Sequence, residues 1–391
     1  MDKVRVGVIG FGNMGSAHAK HIYDGLIDGL ELVAVCDTDE SKREKARLSF
    51  ENVEIFETYK ALLDSGLTDA IIIATPHYFH CPIAIDAFNK GQHVLSEKPA
   101  GVYTKQIKQM NEAAKKSGKV FAVMFNQRTN MLFKKAHDIM QNKELGELKR
   151  MVWIITNWYR TQHYYDSGSW RATWAGEGGG VLLNQAPHNL DIWQWICGLP
   201  KRVRGFCSVA KYHHIEVEDD ATVYAEYENG ATGIFITSTG EAPGTNRLEI
   251  SATKGKLVIE NGKMTITRLI TDERDFCFNS EDDFAKIPSE VEIIEQTEKE
   301  SAHIGILQNF TNAILHGEAL ISPGFDGINE VQISNAAYLS SWKDKWVELP
   351  VNDNEYFREL KKKSKHSKTH EGLQNDKSAD MKYSERWSVR W

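Results

Sequence analysis

Three groups of residues in this chain have types and spacings suited to chemistry. The first is Gly10-Phe11-Gly12-Asn13-Met14-Gly15, which follows directly on the apolar run from Val4 to Ile9. In a strand-to-helix turn the first glycine permits the bend, the second lets backbone approach a pyrophosphate, and the third packs helix on strand. The helix N-terminus then offers free N–H groups and a positive dipole end to phosphates. The second group is Glu97-Lys98-Pro99-Ala100-Gly101, an ammonium between a carboxylate and a rigid proline. By type alone it reads equally as a held cationic site or a solvated charge pair. The third is Asn184, His188 and Asp191, at i, i+4 and i+7, which share one face if their segment is helical. That pattern suits a polar site and also suits a structural histidine. Asparagine is a poor metal ligand and no further His or Cys accompanies the set, so no metal is expected.

Alternating strands and helices must position these groups. A second apolar strand over 31–36 ends at Asp37, which lies 22 residues beyond Gly15. That is near the spacing of an acid that holds an adenosine ribose. Further strands are expected over 53–56, 70–74, 92–96 and 119–125, with helices over 40–50, 59–63, 83–90 and 105–116. The run Ala70-Ile-Ile-Ile-Ala74 has no polar alternation, as in a strand buried on both faces of a parallel sheet. Six such strands predict a doubly wound sheet, whose ligands lie outside the strand carboxyl ends. The loops placed there are Thr75-Pro76-His77-Tyr78-Phe79-His80, Glu97–Gly101 and Asn126-Gln127-Arg128.

From about residue 130 the rhythm changes to long strand-like runs over 148–157, 202–211, 221–228, 231–239, 247–253, 256–260 and 264–270. Glu228-Asn-Gly230 and Asn261-Gly262 are hairpin signals between them. The expected organisation is an α/β chain: a Rossmann domain over 1–128, a second α/β domain with a large, mostly antiparallel open sheet over 129–350, and a charged arm over 351–391. Helices are expected over 131–142, 184–197, 301–315 and 325–342. Only 10 of the residues from 352 to 391 are apolar, a quarter of the arm against 41% overall, so disorder is its default reading. Trp387 and Trp391 are unusual residues to leave in water, and burial on a neighbouring subunit is the expectation for them.

A net charge of −7 gives no basic field for nucleic acid, and no stretch approaches the ~20 apolar residues of a membrane helix. Five scattered cysteines with no Cys-x-x-Cys pair, and a start that runs straight into strand, suit a cytoplasmic protein. Residues 153–174 hold seven aromatics, Trp153, Trp158, Tyr159, Tyr164, Tyr165, Trp170 and Trp174, where the chain's 10% aromatic content predicts about two. Aromatic faces stack on sugar rings, and Arg160, His163 and Arg171 among them can bond hydroxyls or a carboxylate. Core packing is the alternative for about half of these aromatics.

The glycine loop, Thr75-Pro76 with His80, Glu97-Lys98-Pro99 and the glycine-led Asn184-x-x-x-His188-x-x-Asp191 together resemble the four signatures of the glucose-fructose oxidoreductase/inositol dehydrogenase (GFO/IDH/MocA) family. The resemblance implies NAD-dependent hydride transfer on a secondary hydroxyl of a sugar, glycoside or cyclitol. It implies Lys98 at the substrate hydroxyl and nicotinamide ribose, His188 as general acid/base and Asn184 beside it. Cofactor contacts are then expected from Gly10, Phe11, Gly12, Asn13, Met14, Gly15, Asp37, Thr75, Pro76, His80, Glu97, Lys98 and Asn126. Substrate contacts are expected from Lys98, Tyr159, Arg160, Trp170, Arg171, Asn184 and His188. Many family members carry Asp where this chain has Asn184, which removes a carboxylate that would favour a charged histidine. Asp37 followed by Thr38-Asp39-Glu40 favours NAD over NADP. Members commonly pair through the second domain, so a dimer or tetramer is expected. The alternatives are an NAD-dependent glycosidase acting by transient C3 oxidation, whose usual Tyr-Pro-Thr-His stretch is absent, and a sugar- or nucleotide-sensing regulator.

Overall fold

The computed structural model describes residues 2–367 except 169 and 298–300. In the first half the chain forms β1 (Val4–Ile9), α1 (Asn13–Tyr23), β2 (Leu30–Cys36), α2 (Glu40–Ser49), β3 (Glu54–Phe56), α3 (Tyr59–Asp64), β4 (Ala70–Ile73), α4 (His80–Asn89), β5 (His93–Ser96), α5 (Thr104–Ser117) and β6 (Phe121–Val123). The strands make one parallel sheet in the order β3-β2-β1-β4-β5-β6. This is the doubly wound arrangement expected, with the order reversing between β1 and β4. Both faces are covered: Val4, Val6 and Val8 pack towards α1, while Ile71 and Ile73 pack towards α3 and α4. The loops after β1, β4 and β5 therefore meet at one edge.

The second half adds α6 (Met131–Gln141), β7 (Leu148–Ile155), α7 (Gln162–Asp166), α8 (Pro187–Cys197), β8 (Arg202–Val209), β9 (Glu218–Glu226), β10 (Thr232–Ser238), β11 (Asn246–Ala252), β12 (Gly255–Glu260), β13 (Lys263–Leu269), α9 (Glu273–Asn279), β14 (Ser289–Glu295), α10 (Ala302–His316), α11 (Gly327–Lys343), β15 (Val347–Glu348) and α12 (Asp353–Ser364). Its sheet runs β14-β13-β12-β11-β7-β10-β9-β8-β15, antiparallel throughout except for the parallel β7–β10 pair. One face carries a core in which Trp153, Trp193 and Phe235 interlock with α6, α8 and α11. Strands β14 and β15 extend the expected sheet at its two edges.

Two expectations are corrected. Residues 352–367 are not a solvated tail: Asn352 caps α12 at the Glu355 N–H, and Tyr356 and Leu360 are buried, with Tyr356 stacked 5.5 Å from Trp342. A single apolar stripe with a good N-cap holds this helix despite its charge. Trp387 and Trp391, expected to be buried on a neighbouring subunit, lie outside the described residues. Second, the helix expected over 184–197 begins at Pro187, which lacks an N–H and is suited to a first helical turn. Asn184 therefore sits in the preceding turn and does not share a helix with His188 and Asp191.

The two halves are locked together by buried polar contacts. Arg128 donates from Nη2 and Nε to the two carboxylate oxygens of Asp191 at 2.7 and 2.8 Å, and from Nη1 to Asp326 at 2.8 Å. Helix α10 returns to the first half and sets Ile306, Leu307 and Phe310 against Val4, Val6 and Val8. Glu330 on α11 is wholly enclosed; burial, reinforced by Asp191, pushes its carboxyl well above the usual range. A carboxyl raised in the folded state loses its stabilising contribution as pH rises through the folded value. Glu330→Gln is therefore expected to raise the melting temperature at pH 8, with the gain shrinking towards pH 5. A gain that is equal at both pH values contradicts this.

Candidate active site

At the first switch of the parallel sheet, Gly10 adopts φ +94°, and a Cβ there would lie 2.6 Å from the Ala74 carbonyl oxygen. Around Gly12, by contrast, a Cβ would meet nothing within 4 Å. No side chain caps α1 and no acid occupies its first turn. The loop is thus bent tightly towards β4 and open on the side where a phosphate would approach. Phe11 points inward onto Phe50, so its ring does not face a ligand at the loop. Asp37 accepts the Phe11 N–H at 2.7 Å and the Asp39 N–H at 2.9 Å, which fixes its carboxylate beside the glycine loop. Arg43 is committed to the Asp37 carbonyl and to Glu40. Thr75 Oγ1 and Asn126 Oδ1 are buried polar atoms with no protein partner at the same sheet edge. Buried polar atoms are normally satisfied, so this open loop and these two atoms fit a bound dinucleotide.

His80 is placed differently from a direct cofactor contact. Its Nε2 lies 2.7 Å from the Thr75 carbonyl oxygen and its Nδ1 2.8 Å from that of Pro99, so it ties the two loops together. Glu97 is also spoken for: His18 on α1 approaches Glu97 Oε1 at 2.6 Å. Burial opposes ionisation of Glu97, but the His18 hydrogen bond and charge, with His303 adding, hold it down to about 2. Lys98 itself crosses the cleft, donating from Nζ to the Asn184 carbonyl oxygen at 2.8 Å. Burial lowers its ammonium pKa, with Glu97 opposing. Proximity of the Lys98 ammonium is felt at His188, whose pKa burial already drives well below the ordinary imidazole value. His188 Nδ1 is buried without a protein partner. The structure thus brings Lys98, Asn184 and His188 together from two domains.

The turn that presents them is built by Gly178-Gly179-Gly180. A Cβ on Gly180 would fall 1.9 Å from the Glu218 carbonyl oxygen, so only glycine fits. Glu218 in turn accepts the Gly180 and Leu182 N–H groups and the Tyr338 hydroxyl. Glu177, immediately before the glycines, accepts from Asn184 Nδ2 and, at 2.6 Å, from the Ala172 N–H. Burial raises its carboxyl pKa. A carboxylate missing at position 184 is therefore supplied behind it; the acid preceding the triple glycine was the available signal. Asp191 is not at this site but on Arg128, and His18 was likewise not singled out.

Of the seven aromatics, Trp153, Trp158, Tyr165 and Trp174 are core residues. Trp170 stands edge-on to His77 at 5.5 Å, and Tyr164 accepts from Arg171 at 2.9 Å and from Gln185 at 3.2 Å. Tyr159 is half exposed, and Arg160 donates to its carbonyl and to that of Trp158. The segment thus sets Trp170 against His77, and Tyr164, with Arg160 and Arg171 over its ring, against Gln185. Among the described residues no cluster of His, Cys, Asp or Glu suits a metal ion, and no helix is long and apolar enough to cross a membrane.

Comparison with known proteins agrees with this architecture. Residues 4–125 match the profile described as "Oxidoreductase family, NAD-binding Rossmann fold", and residues 133–258 match the "GFO/IDH/MocA C-terminal domain". Myo-inositol 2-dehydrogenase of Thermotoga maritima is 26% identical over 69% of this chain and 79% of its own length. The scyllo-inositol 2-dehydrogenase (NAD(+)) of Bacillus subtilis is 25% identical over 89% of this chain and 97% of its own. Among solved structures, the WlbA dehydrogenase of Bordetella pertussis, crystallised with NADH and UDP-GlcNAcA, superposes with a TM-score of 0.74 at 24% identity, covering 90% of this chain and all of that one. With both of its domains matched in order, the chain belongs to the GFO/IDH/MocA family of NAD-binding oxidoreductases.

Proposed function

We propose that this chain interconverts a secondary hydroxyl and a ketone on a sugar, glycoside or cyclitol. The observation that carries the reading is the hydrogen bond from Lys98 Nζ across the cleft to the Asn184 carbonyl, beside an uncharged His188 with a ring nitrogen unused by the protein. Bound NAD⁺ supplies the hydride acceptor. The Gly10–Gly15 loop and the start of α1 would hold its phosphates and Asp37 its ribose, and Thr75 and Asn126 would offer their unpartnered oxygens. His188 takes the hydroxyl proton, for which a neutral imidazole is ready. The Lys98 ammonium stabilises negative charge developing on the same oxygen. Asn184, anchored through Nδ2 on Glu177, positions the hydroxyl. Mixing the protein with NAD⁺ and a panel of inositols, hexoses and glycosides is expected to produce NADH absorbance with at least one of them. Silence across the panel together with no NAD⁺ binding contradicts the reading.

Asp37 stands at the expected ribose position with Lys42 3.7 Å from its carboxylate, while Arg43 is committed to the Asp37 carbonyl and Glu40, so a 2′-phosphate meets the Asp37 charge and no free arginine fork. kcat/KM with NAD is expected to exceed that with NADP by about tenfold or more. Equal use of the two cofactors overturns this preference.

The assembly we infer is a homo-oligomer formed through the outer face of the nine-stranded sheet. Ile154, Tyr224, Ile234 and Ile236 alternate with core residues along its strands and are only partly buried, and Phe206 is exposed beside them. These apolar side chains, set among Thr222, Glu226, Thr232, Arg247 and Glu249 on the same face, make a mixed surface of the kind a second copy covers. Light scattering of the full chain should give a dimer or tetramer mass; a monomer at micromolar concentration contradicts it.

A further inference from the structure

Arg160 and Arg171 flank Tyr164 in the aromatic segment, and among the described residues neither is ion-paired to a carboxylate. Arg160 spends Nη1 on the backbone carbonyls of Trp158 and Tyr159, at 3.3 and 2.9 Å. Arg171 spends Nη1 on the Tyr164 hydroxyl at 2.9 Å. Both guanidiniums lie over one ring, 5.2 and 4.7 Å from the centroid of Tyr164. Tyr164 is bonded in turn to Gln185, next to Asn184, so the two cations are tied to the segment that carries His188. Trp170 stands against His77, the Arg160 charge is felt at Lys98, and the Arg171 charge is felt at His77 and more strongly at the Glu177 carboxyl.

Three acids lie nearby, Glu97, Glu177 and Glu330, all felt at Lys98, and burial pushes the carboxyls of Glu177 and Glu330 up. Glu97 is held by His18, and Glu177 uses one oxygen on Asn184 and the other on the Ala172 N–H. Three cations, Lys98, Arg160 and Arg171, therefore converge on a cleft of a chain whose net charge is −7. Like charges gathered around one aromatic ring repel, and neutral hydroxyls alone do not require them, since amides and hydroxyls bind sugars without that cost. A planar guanidinium fork matches a carboxylate or phosphate through paired hydrogen bonds. We propose that the substrate bears an oxyanion, a carboxylate or phosphate ester on the sugar or its substituent, held by Arg160 and Arg171. This rests on the reading of the cleft as the substrate site.

Binding, not turnover, tests it, so that its failure is separable from failure of the proposed reaction. Calorimetric titration of the NADH-saturated full chain would compare D-glucuronate with its neutral isostere D-glucuronamide, and D-glucose 6-phosphate with D-glucose. One anion is expected to bind at least about tenfold more tightly than its neutral counterpart, as charge-assisted hydrogen bonds imply; which of the two does so separates carboxylate from phosphate. In Arg171→Gln and Arg160→Gln that ratio should fall towards one, with Arg171→Lys recovering part of it. Anions that bind no better than their neutral counterparts to the wild-type protein overturn the proposal, whatever the variants do. Turnover of neutral sugars in that case would leave the dehydrogenase reading standing.

Discussion

His188→Ala is expected to lower kcat on the best substrate by ~10²–10⁴, the contribution of a positioned general acid/base. Burial and the adjacent Lys98 hold the imidazole pKa well below its ordinary value, so the residue is uncharged and ready to accept a proton at neutral pH. The acid limb of the kcat/KM profile should accordingly lie below the pH at which a free histidine titrates. Deprotonation of Lys98, whose pKa is lowered by burial, should bring down the alkaline side earlier than an ordinary lysine would. The His188→Ala profile should lose its acid limb. Retention of near wild-type kcat by this variant would return His188 to a structural role.

The largest loss of stability is expected at the buried pair between Arg128 and Asp191, side chains 1% and 0% exposed. Asp191→Ala leaves a guanidinium enclosed with only the part-exposed Asp326 for a counter-charge, and should cost about 3–5 kcal/mol in denaturant unfolding. Replacing both partners, as in Arg128→Met with Asp191→Leu, removes the stranded charge and should recover part of the loss. If Asp191→Ala unfolds at the wild-type midpoint, the pair does not lock the domains.

How far the molecule was readable from its residues depends on the range over which each feature is decided. The glycine loop, Asp37 and the unbroken Ala70–Ala74 run carry their reasons locally: a turn, a ribose spacing, burial on both faces. The doubly wound sheet followed from them. Asn184 was placed on a helix by its spacing, but Pro187 sets the helix start, a local signal outweighed by periodicity. In α12 the stripe is only Tyr356 and Leu360 among many charges, too sparse to register before Trp342 is seen to receive it. Arg128 with Asp191 and His18 with Glu97 are 63 and 79 residues apart, and no spacing rule connects such partners. Glu177 was closer to hand, since an acid before three glycines stands where backbone is forced close to a neighbouring strand. The aromatic segment divided as its chemistry allows: indoles and a phenol fill the core, while Tyr164 and Trp170, with cations against them, meet Gln185 and His77.

The most direct test of the catalytic assignment separates binding from chemistry at Lys98. Steady-state rates and calorimetric NAD⁺ affinity would be measured side by side for the wild-type protein and Lys98→Met. The phosphates and ribose are assigned to the glycine loop and Asp37, so NAD⁺ affinity should stay within a few-fold while kcat falls by about 10² or more. A variant that keeps its rate, or that loses NAD⁺ binding in proportion to its rate, contradicts the account.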